Sequence, residues 1–218
     1  MTYVKICGIR SVEDAEFAAA AGADFLGLVF AESPRQVDLH RARQIRDGLP
    51  GGPPRVGVFD RADPEELAAA VEAGGLDYVQ IHGEHWWGDV ARALRAADRP
   101  LIRALRAGRD NPDDALALDP PPFAILLDTP VDGLAGGSGR TFNWNLARDP
   151  ARRTRVFLAG GLTPANVAAA IRTAKPYAVD VSSGVESAPG CKNPALVRAF
   201  IDAARAAGGR AAAGGSAS

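Results

Sequence analysis

The sequence is short of the residues that usually announce chemistry, with only two cysteines, Cys7 and Cys191, in 218 residues. Two cysteines so far apart build neither a disulfide framework nor a cysteine metal cluster, and a reducing compartment keeps both as thiols. The chain also lacks an excess charge of either sign. At a formal net charge of −1 it has no global basic field to hold nucleic acid or anionic lipid, so any anion must be bound locally. Missing too are a run of about 18 apolar residues and a basic N-terminal segment leading into an apolar one. The chain therefore reads as cytoplasmic, with neither nucleic acid nor membrane among its partners.

What is present is the composition of an ordinary globular protein, 47% apolar and 23% charged, which excludes disorder of the whole chain. Length alone allows one or two domains, and patterning decides. Eight short apolar runs recur at regular intervals: YVKICG, FLGLVF, PRVGVF, YVQIH, PLIRAL, FAILLD, VFLAGG and AVDVSS. Their continuity, in place of strict alternation, predicts strands covered on both faces. Helical spacing fills the gaps, as in Leu39, Ala42, Ile45 and Leu49 or Val167, Ala170, Ile171 and Ala174. Start signals precede several of these stretches: Ser11, an Asp63 to Glu66 capping box, Thr163-Pro164 and Asn193-Pro194. The helix predicted around Pro112 to Leu118 is the weakest. The pattern predicts an α/β fold, a single-domain (β/α)8 TIM barrel over 1–207, with a disordered Gly/Ala/Ser-rich tail at 208–218. Exposed Ala-rich barrel helices suit a monomer and a homodimer equally.

In such a barrel the strand C-terminal ends carry chemistry, because the βα loops converge there. LAGGLTPANV places Gly160 and Gly161 between a strand and a helix start, where backbone N–H groups can approach an anion. DVSSGVE repeats the device one unit later with Ser182, Ser183 and Gly184, and the pair predicts a phosphate site after strands seven and eight. Asp128 closes the apolar run FAILLD. Burial there would raise its pKa toward that of an acid catalyst, although a solvated strand-end carboxylate or loop cap fits the local sequence as well. Cys7 closes the first run in the same way, as core filler or as a thiol base near Lys5 and Arg10. Arg35, on the Pro-stiffened SPRQV loop, is either a carboxylate clamp or a solvated surface charge. His82 is either catalytic or a structural strand-end histidine, and Trp86 and Trp87 wall a pocket or cover the barrel's outside.

Taken together, VKICGIR, SPRQV, QIHGE, LLDT, GGSGRTFNW, LAGGLTPANV and VDVSSGVES, in this order over nearly the whole chain, resemble the phosphoribosylanthranilate isomerase family of tryptophan biosynthesis. The resemblance implies a barrel without metal or organic cofactor that acts on a small phosphorylated sugar. It implies Cys7 as general base, Asp128 as general acid and Arg35 as the holder of the anthranilate carboxylate. Phosphate contacts would come from Gly160, Gly161, Ser182, Ser183 and Gly184, with Gly137 and Gly139 nearby and His82 beside the substrate. The implied reaction is an Amadori rearrangement, in which a protonated ring opens to a Schiff base and C2′ is deprotonated.

Some positions depart from the family pattern. Asn143 and Asn193 stand where aspartate is usual, and Asn193 still suits a helix cap. Asp38, close to Arg35 in sequence, is positioned to compete for its guanidinium. Two other readings compete. A histidine-pathway barrel isomerase, or a bifunctional one, would carry aspartate at the base position, which Cys7 opposes. A catalytically silent sensor of a phosphorylated ligand would need neither Cys7 nor Asp128.

Overall fold

All eight apolar runs form strands. The computed structural model describes residues 1–60, 64–83, 98–119, 121–129 and 143–209. The strands are β1 (Tyr3–Cys7), β2 (Phe25–Val29), β3 (Arg55–Phe59), β4 (Tyr78–Ile81), β5 (Leu101–Arg106), β6 (Ala124–Asp128), β7 (Val156–Leu158) and β8 (Ala178–Val181). Each pairs in parallel with the next, and β8 returns to β1, closing the barrel. A small antiparallel ribbon of β9 (Glu186–Ala188) and β10 (Cys191–Lys192) follows β8.

Seven described helices lie between or after the strands: α1 (Val12–Ala21), α2 (Leu39–Gly48), α3 (Pro64–Gly74), α4 (Pro112–Leu116), α5 (Pro150–Arg153), α6 (Val167–Ala174) and α7 (Pro194–Gly208). The sequence between β4 and β5 falls largely outside the described residues, as does Asp63 of the predicted capping box. Ser11 caps α1 by accepting from the Asp14 N–H at 3.1 Å, and Asn193 caps α7 by accepting from Ala195 and Leu196. At Thr163-Pro164 the structure corrects the reading. A turn comes first and α6 begins at Val167, because the Asn166 amide accepts from the Thr163 N–H and donates to the Gly161 carbonyl, holding the segment as a loop. The final helix runs to Gly208, one residue past the expected boundary; the tail from 210 lies outside the described residues.

Alternation divides the strand residues into two cores. Outward side chains such as Ile6, Leu26, Leu28, Val79 and Val179 pack under Ala15, Ala18, Ile45, Leu67, Val197 and Phe200 of the helices. Inward ones, Phe25, Val56, Ile102, Ala124, Leu126 and Phe157, fill the lower barrel, while Cys7, Val29 and Val58 form a separate group toward the C-terminal end.

Candidate active site

On β1 the inward positions are Tyr3, Lys5 and Cys7. Lys5 is fully buried, and its ammonium donates to Gln80 Oε1 at 2.9 Å and to Asp180 Oδ2 at 3.1 Å. Strand register makes this possible, since Lys5 and Asp180 are Cα partners across the β1–β8 pairing. With its oxygen taken by Lys5, Gln80 turns its amide N–H toward His82 Nε2 at 2.8 Å. That bond requires Nε2 to be the acceptor, so the neutral His82 ring carries its proton on Nδ1. Burial, aided by the Lys5 charge, depresses His82 to about 4 and keeps the ring neutral at pH 7.

Cys7 and Asp128 share this charged floor. Burial pushes the Cys7 thiol up; Lys5 and Lys192 oppose the push, while Asp180 adds to it. For Asp128, burial dominates and raises the carboxyl to about 6, against the Thr129 N–H that donates to Oδ1 at 2.7 Å and with a further push from Asp180. The rise in pKa expected from burial at the end of FAILLD is therefore present. Asp180 is the common neighbour, and its Oδ1 is buried with no hydrogen-bond partner among the described residues.

The loops close over the same end. The Ser182 hydroxyl donates to the Cys7 carbonyl at 3.1 Å, and the buried Lys192 ammonium donates to the Ser182 carbonyl and to Glu186. Arg35 forms a two-bond fork with Glu186, both bonds at 2.7 Å. Asp38 does not compete for that fork, which corrects the sequence expectation: its carboxylate is spent on capping α2, accepting from the Arg41 N–H at 2.7 Å. Gly160, at φ +82, lies so close to Asp128 and Thr129 that a Cβ would stand 2.8 Å from Asp128 Oδ1. A Cβ at Gly184 would collide with the Leu162 carbonyl, so the loops after β7 and β8, with Gly161 and Ser183, lie against each other. Arg103 is buried and donates to the Ile81 and Gly83 carbonyls, fixing the turn after β4 beside His82.

Other candidates stand apart. Cys191 is exposed on β10 while Cys7 is buried, and both are free thiols. Asn143 caps a 3-10 turn, its side chain accepting from the Asn145 N–H at 3.2 Å. Gly137, Gly139, Trp86 and Trp87 lie outside the described residues. The reading of single strand ends passed over Gln80, Asp180, Lys192 and Glu186 and left open where Lys5 points. For three of these five a signal existed. Lys5, Gln80 and Asp180 each stand two residues before a strand-end candidate, Cys7, His82 and Ser182, and so share its inward face.

The fold and this site define a class, the (β/α)8 barrels that gather titratable groups and glycine loops at the C-terminal ends of their strands. Within it, residues 4–203 match the family model of N-(5′-phosphoribosyl)anthranilate isomerase. The chain belongs to that family. It is 46% identical over 206 residues to N-(5′-phosphoribosyl)anthranilate isomerase of Rubrobacter xylanophilus, covering 94% of this chain and 100% of that protein. To the protein of the same name from Pseudomonas aeruginosa strain LESB58 it is 49% identical over 205 residues, covering 93% and 94%. The crystal structure of phosphoribosyl anthranilate isomerase from Thermotoga maritima superposes with a TM-score of 0.81 at 38% identity, covering 94% of this chain and 100% of that one. A structure of such an isomerase in complex with reduced 1-(o-carboxyphenylamino)-1-deoxyribulose 5-phosphate gives a TM-score of 0.79 at 38% identity, with the same coverage.

Proposed function

We propose that the chain isomerises N-(5′-phosphoribosyl)anthranilate to 1-(2-carboxyphenylamino)-1-deoxyribulose 5-phosphate, with no metal or organic cofactor, in the cytoplasm. Family membership supports the substrate. The observation that carries the mechanism is the pairing of a buried thiol, Cys7, with a carboxyl raised to about 6, Asp128, over one shared charged floor. The two groups differ in kind, and the pair gives one group suited to donate and one suited to accept.

Asp128 protonates the furanose ring oxygen, the C1′–O bond breaks, and the anilino nitrogen lone pair forms the C1′=N Schiff base. A carboxyl with a pKa near 4 is protonated about one part in a thousand at pH 7; a pKa of about 6 raises that to about one in ten. Cys7 thiolate then removes the C2′ proton, and the electrons flow to nitrogen to give an enolamine that tautomerises to the ketone. Burial alone makes ionising that thiol costly, and the Lys5 and Lys192 ammonium groups lower the cost. The glycine loops, Gly160-Gly161 and Ser182 to Gly184, with Gly137 and Gly139, anchor the phosphate while the ring is open. His82 offers its Nδ1–H to the substrate, and Arg35 holds the anthranilate carboxylate.

The reading is tested with purified protein by following product formation from N-(5′-phosphoribosyl)anthranilate. Cys7→Ala and Asp128→Asn are each expected to lower kcat by about 10³-fold or more while binding of the phosphorylated product analogue persists. Full activity in either variant overturns the assignment. A parallel check is rescue of a tryptophan auxotroph lacking this step, and failure by well-expressed protein favours a phosphorylated-ligand sensor.

A further inference from the structure

The Arg35 guanidinium has five N–H donors, and Glu186 engages two of them, at Nε and Nη2. Those two lie on one edge of the planar group. Among the described residues the adjacent edge, formed by Nη1 and the second Nη2 hydrogen, engages no acceptor and presents a fork of carboxylate geometry. Glu186 is itself fixed, its side chain 4% exposed and its Oε1 also accepting from the buried Lys192 ammonium at 2.7 Å. The Arg35 stem is held from the other side. Its Cδ runs across Gly8, the residue after Cys7, where a Cβ would come within 2.8 Å of it. A flexible side chain on an irregular loop is thus pinned at stem and tip, against the residue that follows Cys7.

We propose that Glu186 is a positioning residue for substrate recognition: through its fork with Arg35 it aims the open guanidinium edge at the carboxylate of the aromatic amine, and thereby sets the enzyme's preference for carboxylated substrates. This rests on Arg35 being the carboxylate holder. The group of Arg35, Lys192 and Glu186 carries two positive charges and one negative, a net +1 that a single substrate carboxylate neutralises. Burial works against a charged Glu186, yet the bonds from Arg35 and Lys192 win and hold it at about 2, so the fork persists throughout the working pH range. The placement also fits the chemistry. The carboxylate is ortho to the nitrogen on C1′, and C1′ is bonded to the C2′ carbon that Cys7 must reach.

The test compares affinities for two probes, reduced 1-(2-carboxyphenylamino)-1-deoxyribulose 5-phosphate and the same molecule with an unsubstituted phenyl ring. The ratio of the two reads the carboxylate contact and cancels the phosphate contact. In Glu186→Gln the preference for the carboxylated probe is expected to fall about tenfold, with the phenyl probe bound as before. Simple charge counting predicts the opposite, because the variant leaves a net +2, so a preserved or increased preference overturns the proposal. Glu186→Asp keeps the charge but withdraws the fork by one methylene, and should also lower the preference; an unaltered ratio there likewise overturns it. Arg35→Ala separates the two levels. If it leaves the preference intact, the carboxylate reading of Arg35 fails and the proposal with it; if it abolishes the preference while both Glu186 variants retain it, only the proposal fails.

Discussion

The two ends of this barrel are built from opposite materials. At the N-terminal end, Tyr3, Phe25, Tyr78, Phe123, Phe157 and Tyr177 form one aromatic layer, with successive ring centroids 4.9 to 6.1 Å apart in edge-on or tilted contact. At the C-terminal end the buried groups include Lys5, Gln80, Asp180 and Lys192, and one buried carboxylate oxygen of Asp180 has no partner among the described residues. Aromatic rings in a dry plug gain from burial and from their edge-to-face geometry. Buried charges recover their desolvation cost only through good pairing, and an orphan acceptor recovers none of it. One end therefore holds the barrel shut, and the other gives up stability to hold Cys7, His82 and Asp128 at shifted pKa values.

The sharpest way to break that division is Phe157→Ala. Phe157 is fully buried, with its ring 5.4 Å from Phe25 and 5.8 Å from Tyr177. Truncation leaves a cavity in the plug and is expected to cost about 3–5 kcal/mol of unfolding free energy by urea titration. The fraction that remains folded should keep its kcat/KM within about twofold, since the proposed acid and base, Asp128 and Cys7, stand at the far end. A large loss of kcat/KM in the folded variant would show that the two ends are coupled.

Asp128→Asn is the complementary experiment, and its sign is opposite. The folded protein raises this carboxyl from 3.8 to about 6, so the folded state binds the proton more tightly than the unfolded chain does. Stability from this group is whole below pH 4 and is lost as pH rises through 6. Two pKa units correspond to at most about 3 kcal/mol of destabilisation at pH 7. Asparagine keeps the Oδ1 that accepts from Thr129 but has no charge to bury. The variant should therefore unfold at higher urea than the parent at pH 7, by up to about 3 kcal/mol, with the difference vanishing near pH 4. An equal stability at pH 7 would show that Asp128 is no more strained than an ordinary surface aspartate.

How much of this contrast the sequence disclosed depends on what each end is made of. The eight strand runs, the Ser11 and Asn193 caps and the raised carboxyl of Asp128 are local features, and each could be read from a few consecutive residues. The glycine pairs and Cys7 needed the barrel repeat to place them on one end. The floor beneath them depends on register: nothing in KIC or VDV says that Lys5 and Asp180 are side by side, because that follows only when β8 returns to β1. Glu186 was hidden for a further reason. It is far from Arg35 along the chain and reaches it through the small ribbon of β9 and β10, a feature with only five residues in strands, too few to show a period. Asp38 misled for the same reason, since nearness in sequence counted for less than its place at the start of α2.

The smallest predicted effect compares two arginines. Arg155 lies over the Phe123 ring at 4.5 Å and the Tyr177 ring at 5.8 Å, and it faces solvent at the aromatic end. Cation–π contact at an exposed site is worth about 0.5–1 kcal/mol, so Arg155→Ala should lower the unfolding midpoint by only a few degrees and leave kinetics untouched. Arg35 carries the same guanidinium, but its partners are a buried carboxylate and the backbone beside Cys7. Its removal should show in substrate preference far more than in melting temperature. If Arg155→Ala instead proved the more damaging to kcat/KM, the aromatic plug would have to be transmitting its packing along β7, the strand that leads from Val156 to the glycine loop at Gly160.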